Sequence, residues 1–553
     1  MESIKMFTTR RGFLLTTAGS AVAITLSACG GTQSGGGSSA EGLKNTSGAM
    51  TSFKAGDPFM ATQALNVSML FSDAPTYPNK SDWLLWSEIT KRTNVTINTT
   101  LVPASDYGQK RSLLIGAGSA PTIIAKTYPG SETAYVSSGA ILAVSDYLDL
   151  MPNLSAKIKD WGLSPNIDSL RQADGKFYLL PGVHEAPWQD YSIAIRTDVL
   201  AQLGLKSPTS WAEFRTFLEK IKASHPASYP FSDRFNVTYP GGNVLGIASV
   251  GYGTKAGWAY SNFTWDPSKK TFVSTPKMDE YKALVEYFRG LVGDGLMDPE
   301  SFTQTDDAAI QKFVTGKSFA ISTNAQTVAN DYTKGLTTNI PTATVDKMQF
   351  PSGPAGALLD PITKLENGLM INASIVKSPN FVATMQFIDW LWYSDDGQEF
   401  TKWGVKGTTF TKDASGKRML DPGITFISMN PGAPKHLQKD FGFSGGNFAY
   451  GGTTELLQST FSPAEIAFQK SIAGYKMIDL APPAPLNEAE LEQATLLQTA
   501  LNDAVSQGTV QFILGRRPMS DWNTFMTEVD AKGATKYVDL VNGARDRYVK
   551  THS

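Results

Sequence analysis

The chain has 553 residues, of which 41% are hydrophobic and 11% aromatic, enough for about two to four domain-sized cores. Its 49 Lys and Arg against 51 Asp and Glu leave a formal charge of -2, so no basic field exists to gather nucleic acid. His184, His225, His436 and His552 stand singly and Cys29 is the one cysteine, which excludes an intrachain disulfide and any soft-ligand metal cluster; no cofactor or metal is expected.

Residues 1–29 open with a short basic stretch and continue as an apolar run broken by Thr and Ser, the pattern of a signal peptide. Thr9-Arg10-Arg11-Gly12-Phe13-Leu14 resembles a twin-arginine export motif, and Leu26-Ser27-Ala28-Cys29 resembles a lipobox, after which Cys29 would become an acylated first residue. Two or three acyl chains would hold the protein at a membrane surface. The following stretch to about residue 60 is rich in Gly, Ser and Thr without apolar period and reads as a flexible tether. No apolar run of about 18 residues follows, so no membrane span is expected in the body.

The body opens with a strand pattern at 64–71, a helix through SDWLLWSEITKRTN with Ser81 as cap, a strand at 95–102, a helix over 105–118 capped by Ser105, and a strand at 121–127. Three strands separated by helices predict a parallel βαβαβ unit whose ligand edge is the carboxyl ends of its strands; Ser72, Asp73, Lys126, Thr127 and Tyr128 occupy those ends. Further on, a helix capped by Thr209 or Ser210 begins at Trp211, and Tyr281, Leu284, Val285, Phe288 and Leu291 form one helical stripe. SFAIST at 318–323 is strand-like. After a further strand, Pro379 starts a helix, and a second follows a glycine break.

The segments DGKFYLLPG, IRTDVLAQLGLKSPTSWAEF, GLVGDGLMDPESFT, GKSFAIST, INASIVKSPNFVATMQFIDWLWYSDDGQEFTKWGVKGTTF and the tail from APPAPLNEAELEQ onward, in this order behind a lipobox, resemble family 1 extracellular solute-binding proteins of ABC importers, in particular the LipO-like carbohydrate-binding lipoproteins. The resemblance implies an α/β, two-lobed periplasmic-binding-protein-like fold with the ligand between lobes joined by several crossing segments. It places the signal peptide at 1–28, the tether at 29–60, one lobe at 61–187 and 365–412, and the other at 188–364 and 413–553. It further implies a monomeric receptor that captures a sugar or oligosaccharide outside the cell and delivers it to the transmembrane subunits of an ABC permease; a peptide receptor, or a secreted carbohydrate-active enzyme, is the alternative. Two departures stand out. Where many relatives carry a calcium loop, this chain reads ASHPASYPFSDRFNV, and the lone Asp233 cannot supply the oxygens calcium needs. The family's Gly-Ile-Glu-Gly appears as Gly404-Val405-Lys406-Gly407, so Lys406 either favours an acidic sugar or is merely solvated.

A sugar needs aromatic platforms for its C–H faces and planar polar groups for its hydroxyl rim. Trp188, Gln189, Asp190 and Tyr191 lie at the first expected crossing, Tyr252 and Trp258 lie in a glycine-rich stretch read as a loop, and Asn324 follows a strand. With Asp73, Thr127, Tyr128 and Lys406 these are the candidate ligand-binding residues, Trp258 foremost. Phe443, Phe448 and Tyr450 lie on another glycine-rich loop suited to a lid. Trp211, Trp390 and Trp392 fall at apolar helical positions and read as core. Asp395 and Asp396 are adjacent carboxylates, and helix capping explains the pair better than glycosidase chemistry.

Overall fold

A computed structural model describes residues 42–234, 241–360, 364–448 and 450–552. Strand β1 (Leu65–Asp73) runs parallel to β2 (Val95–Pro103) and to β3 (Ile123–Thr127), with helix α1 (Leu84–Thr93) and helix α2 (Tyr107–Gly116) as the crossovers. The expected parallel unit is therefore present. The expected serine caps are not: Trp83 and Asp106 occupy the two N-cap positions, and neither makes a side-chain cap bond. Two further strands, β4 (Leu180–Val183) and β8 (Leu365–Ile371), complete a sheet of order β2-β1-β3-β8-β4 in which β8 is antiparallel to both neighbours. Gly368 lets β8 pass, since a Cβ there would lie 1.8 Å from the Leu180 carbonyl oxygen.

The second lobe is built on β5 (Ser192–Arg196), flanked antiparallel by β6 (Ala320–Thr323) and β7 (Val345–Lys347). All five residues of β5 are buried, as its unbroken SIAI run requires of a strand covered on both faces. Helix α3 (Trp211–Ser224) is capped as expected, Ser210 Oγ accepting from the Glu213 N–H, and it buries Trp211, Phe214, Phe217, Leu218 and Ile221. The stretch read as a loop is in part a helix, α4 (Gly242–Tyr252). Its glycines serve packing: a Cβ at Gly251 would lie 2.9 Å from the Gly353 backbone nitrogen. Helix α5 (Asp279–Gly293) buries the predicted stripe from Tyr281 to Leu291. In the first lobe, every residue of α6 (Phe381–Tyr393) is buried, with Asn380 rather than Pro379 bordering the helix, and Ser394 Oγ caps α7 (Asp395–Trp403) through the Gly397 N–H. The chain ends in α8 (Glu488–Ile513), α9 (Trp522–Ala531) and α10 (Ala534–His552); Leu501, Val505 and Phe512 carry α8 into the second core. Among the described residues no helix is long and apolar enough to cross a membrane.

Core membership switches between Val183 and Ile193, between Leu359 and Leu365, and between Leu456 and Phe468, so among the described residues the chain crosses between the lobes three times. Two expected boundaries move. Leu420, Ile424, Phe426, Leu437, Phe443, Phe448 and Leu456 belong to the first core, so residues 413–456 pack with the first lobe rather than the second. Residues 42–60, expected as tether, are docked on that lobe: Met50 N–H donates to Gln386 Oε1 at 2.9 Å, Gly56 N–H to Asn153 Oδ1 at 2.9 Å, and Phe59 is buried. A few apolar anchors and turn hydrogen bonds hold this segment without any helical or strand period.

Candidate ligand-binding cleft

On the first lobe, the ends of β3 and β8 and the loop before Gly451 converge. Lys126, at the end of β3, adopts a left-handed backbone (φ 53) and donates from Nζ to Tyr450 Oη at 2.6 Å. Its ammonium also lies over the rings of Tyr450 (5.0 Å) and Tyr128 (5.7 Å). Burial lowers the Lys126 pKa, and Glu366 on β8 partly restores it. Tyr128 keeps 50% of its surface exposed, while desolvation of its hydroxyl, reinforced by Glu366, Tyr191 and Tyr77, pushes its pKa up to about 12. Tyr77 accepts the Gly446 N–H at 3.2 Å. These phenols stay protonated at physiological pH and can both donate and accept.

The second lobe supplies Tyr191, Trp258, Asn324 and Asp190. Trp258 sits on a single 3-10 turn, Gly257–Ala259, 42% exposed, with Tyr191 edge-on to it at 5.5 Å between centroids. Gly257 makes this placement possible: its φ is 55, and a Cβ would lie 2.1 Å from the Gly242 carbonyl oxygen. The Tyr191 hydroxyl bonds the Asn324 side chain and feels Asp190, Glu366 and Arg234; with burial foremost, its pKa rises to about 12. Asn324 also caps a short turn, Oδ1 accepting the Thr327 N–H at 2.8 Å. Burial pushes the Asp190 carboxyl up to about 6, with Lys347 pulling it back; Lys347 Nζ reaches the Asp190 carbonyl at 2.7 Å and Glu465 at 2.7 Å. Because Tyr191 of one lobe acts on Tyr128 of the other, and Glu366 acts on both, these residues form one site between the lobes.

Of the candidates read from the sequence, Tyr128, Asp190, Tyr191, Trp258 and Asn324 come together here. Tyr252 does not: it ends α4, is 7% exposed and packs on Tyr287 in the second core. The Thr127 side chain is buried and turned onto the Ile124 carbonyl. Asp73 accepts the Asn79 N–H at 2.8 Å. Trp188 belongs to another ring set, stacked on Phe461 at 6.3 Å and tilted over His184 at 5.5 Å, where it lines a narrow pocket with His184, Gly452, Gln458 and Gln469. Gln189 is taken up by the backbone, donating to the Tyr191 carbonyl at 2.8 Å while its own carbonyl accepts from Gln469. Lys406 is exposed on the turn after α7 and makes no hydrogen bond or ion pair among the described residues. Phe443 and Phe448 are core, whereas Tyr450 of the same loop reaches the cleft. Sequence reasoning missed Tyr77, Glu366 and Arg234, whose residue types carry no local pattern. Asp395 lies in the first turn of α7, where a carboxylate suits the helix dipole, and pairs with Lys157 at 2.8 Å, while Ser394 makes the cap bond.

Asp233 is buried, and its Oδ1 accepts the Ser322 N–H at 2.8 Å; part of the segment compared with a calcium loop lies outside the described residues, as do Cys29 and the twin-arginine motif. No cluster of three or more His, Cys, Asp or Glu that could hold a metal occurs among the described residues. A shallow depression on α9, lined by Asn523, Thr524, Thr527, Glu528 and Ala531, offers no aromatic platform.

Comparison with known proteins bears on this site. The sequence profile of the bacterial extracellular solute-binding proteins matches residues 85–417, more than half of the chain. The fructooligosaccharide ABC transporter substrate-binding protein FusA of Streptococcus pneumoniae serotype 4 is 23% identical over 540 residues, covering 92% of this chain and 95% of FusA. Among solved structures, the alginate-binding protein AlgQ2 superposes with a TM-score of 0.67 at 17% identity, covering 88% of this chain and 99% of that one. An HMO-binding ABC-transporter-associated solute-binding protein of Bifidobacterium longum infantis ATCC 15697 gives 0.64 at 17% identity, with 89% and 99% covered. These structures share its two-lobed fold.

Proposed function

The chain belongs to the bacterial extracellular solute-binding proteins, and from that premise we propose that it is the carbohydrate receptor of an ABC importer, capturing a sugar or oligosaccharide and passing it unchanged to a membrane permease. The observation that carries this reading is the composition of the cleft. Trp258 offers an exposed indole beside Tyr191, and the opposite wall offers the hydroxyls of Tyr77, Tyr128 and Tyr450, a combination of flat apolar faces and neutral donor-acceptors suited to polyols. A peptide would instead call for a sheet edge on which its backbone could pair. Relatives that bind fructooligosaccharide and alginate support the carbohydrate class. A thermal-shift screen of oligosaccharides against peptides tests it, because a bound ligand stabilises by about 2.7 kcal/mol at a hundredfold excess over Kd; stabilisation by peptides alone, or release of new reducing ends, overturns it.

Anchoring is part of the same reading. Export through Arg10-Arg11 and acylation of Cys29 would place the receptor on the outer face of the membrane beside its permease. Cys29→Ala should move the protein from the membrane fraction to the medium or periplasm; retention at the membrane would refute the lipid anchor and leave the receptor function standing.

A further inference from the structure

Resting on the carbohydrate reading, we infer that Lys126 and Glu366 are the specificity couple of the cleft, and that together they select a neutral, hydroxyl-rich sugar over one bearing carboxylates. Lys126 is a built position. A lysine with positive φ is unusual and persists where its surroundings impose it, here through the Arg111 guanidinium, which donates to the Lys126 carbonyl at 3.4 Å, and through Tyr450. Two glycines make room for the couple. At Gly446 a Cβ would lie 3.0 Å from both tyrosine hydroxyls and 3.3 Å from Lys126 Nζ, and at Gly182 it would lie 2.8 Å from Tyr450 Cβ and 3.2 Å from Glu366 Cβ.

The hydrogen-bond inventory then decides what the couple can hold. An ammonium has three donors, and Lys126 gives one to Tyr450; no other acceptor takes its protons among the described residues. Glu366 Oε1 accepts from the Asn367 backbone N–H at 3.1 Å and side-chain amide at 3.2 Å, while Oε2 has no hydrogen-bond partner among the described residues. The cleft therefore presents an unused cationic donor at the end of β3 and an unused anionic acceptor on the paired strand β8. Neighbouring sugar hydroxyls fit both, one accepting from Lys126 and the other donating to Glu366. A uronate carboxylate accepts from Lys126 but has no proton for Glu366, and it meets the like charges of Glu366 and Asp190. Two cations that could serve it are engaged elsewhere, Arg234 with Tyr332 at 3.2 Å and Asp306 at 3.4 Å and Lys347 with Glu465, while Arg111 donates from Nη1 to the Lys126 carbonyl at 3.4 Å. Among the described residues no bidentate guanidinium fork, the usual means of holding a carboxylate, faces the cleft centre.

The test is isothermal titration at pH 7 of the whole mature protein, with neutral fructo-, gluco- and manno-tetraoses on one side and tetragalacturonate on the other, repeated for Lys126→Met and Glu366→Gln with apo melting recorded for each. The expected result is binding of a neutral tetraose at least tenfold tighter than tetragalacturonate. Each substitution should then weaken the neutral ligand about tenfold or more, the scale of one hydrogen bond to a charged group, with Glu366→Gln also narrowing the gap to the acidic one. Tighter binding of tetragalacturonate overturns this inference and leaves the carbohydrate reading intact. Glu366→Gln is nearly isosteric, so a folded Gln variant with wild-type affinity for the neutral ligand also overturns it, whatever the behaviour of Lys126→Met. Failure of every glycan to bind the wild type overturns both readings.

Discussion

Trp258 and Trp211 come from the same lobe and live under opposite constraints. Trp211 opens α3, is 1% exposed and meets Phe214, Tyr287 and Phe288 edge-on at 5.7 to 5.9 Å. Trp258 stands on one turn after a left-handed glycine, 42% exposed, with Tyr191 edge-on to it in the cleft wall. The indole is identical; the chain beneath it differs. An apolar stripe on a regular helix must be covered by a second layer, whereas a turn held by close backbone contact can present a large ring without surrendering it to the core. The cleft wall is therefore made of residues whose backbone is fixed and whose side chains keep open surface, and the helical layer behind it of residues whose side chains are fully enclosed.

Truncation separates the two regions. Trp211→Ala should lower the unfolding free energy by about 3 to 5 kcal/mol, the range for a buried large aromatic, while the surviving folded protein keeps its sugar affinity; urea denaturation beside titration reads both. Trp258→Ala should do the reverse, weakening sugar binding by about 2 kcal/mol or more, roughly thirtyfold in Kd, with apo melting close to wild type. A large fall in apo stability for Trp258→Ala with unchanged affinity would move that indole into the backing layer and dissolve the distinction.

The same distinction explains what could be read in advance. The stripe of α5, the Ser210 cap, the parallel unit and the buried tryptophans of α3 and α6 follow from local periodicity and cap chemistry, which act within one element. Within the cleft, Tyr128, Asp190, Tyr191, Trp258 and Asn324 were legible because strand ends, crossings and glycine-broken stretches are where irregular chain meets a cleft. Tyr77 and Glu366 were not. Glu366 lies within β8, and its role depends on Tyr450 and Lys126 arriving from more than 80 and 200 residues away, a juxtaposition that no local pattern encodes. Tyr252 failed for the opposite reason: glycines that signalled a loop serve close packing of α4, so the residue at its end points into the core. Trp188 was correctly placed at a crossing but turns toward Phe461 and His184 rather than toward Trp258.

His184 lies on the border between the two regions, where the chain first leaves the first lobe, and gives the smallest effect and the finest test of how closed that border is. Both its ring nitrogens are buried without a hydrogen-bond partner among the described residues, and burial, with Lys402 adding to it, holds the imidazole down to about 3. In the unfolded chain the same ring takes up a proton near 6.5. A depressed folded pKa means that the stability contribution is complete above the unfolded value and is lost as pH falls below it, by about 1 kcal/mol between pH 7 and 5.5. Asp190, Asp233 and Asp389, each raised by burial to about 6, act in the opposite sense: they favour the folded state increasingly as pH falls through that value. The net profile of the wild type therefore mixes both, and the informative quantity is its difference from His184→Leu, in which the carboxylates remain. Urea unfolding at pH 7 and 5.5 should show the wild type losing about 1 kcal/mol more than the variant over that interval. Parallel profiles would mean that the imidazole gains a proton inside the folded protein, and hence that the border admits water and charge where the wall of the backing layer does not.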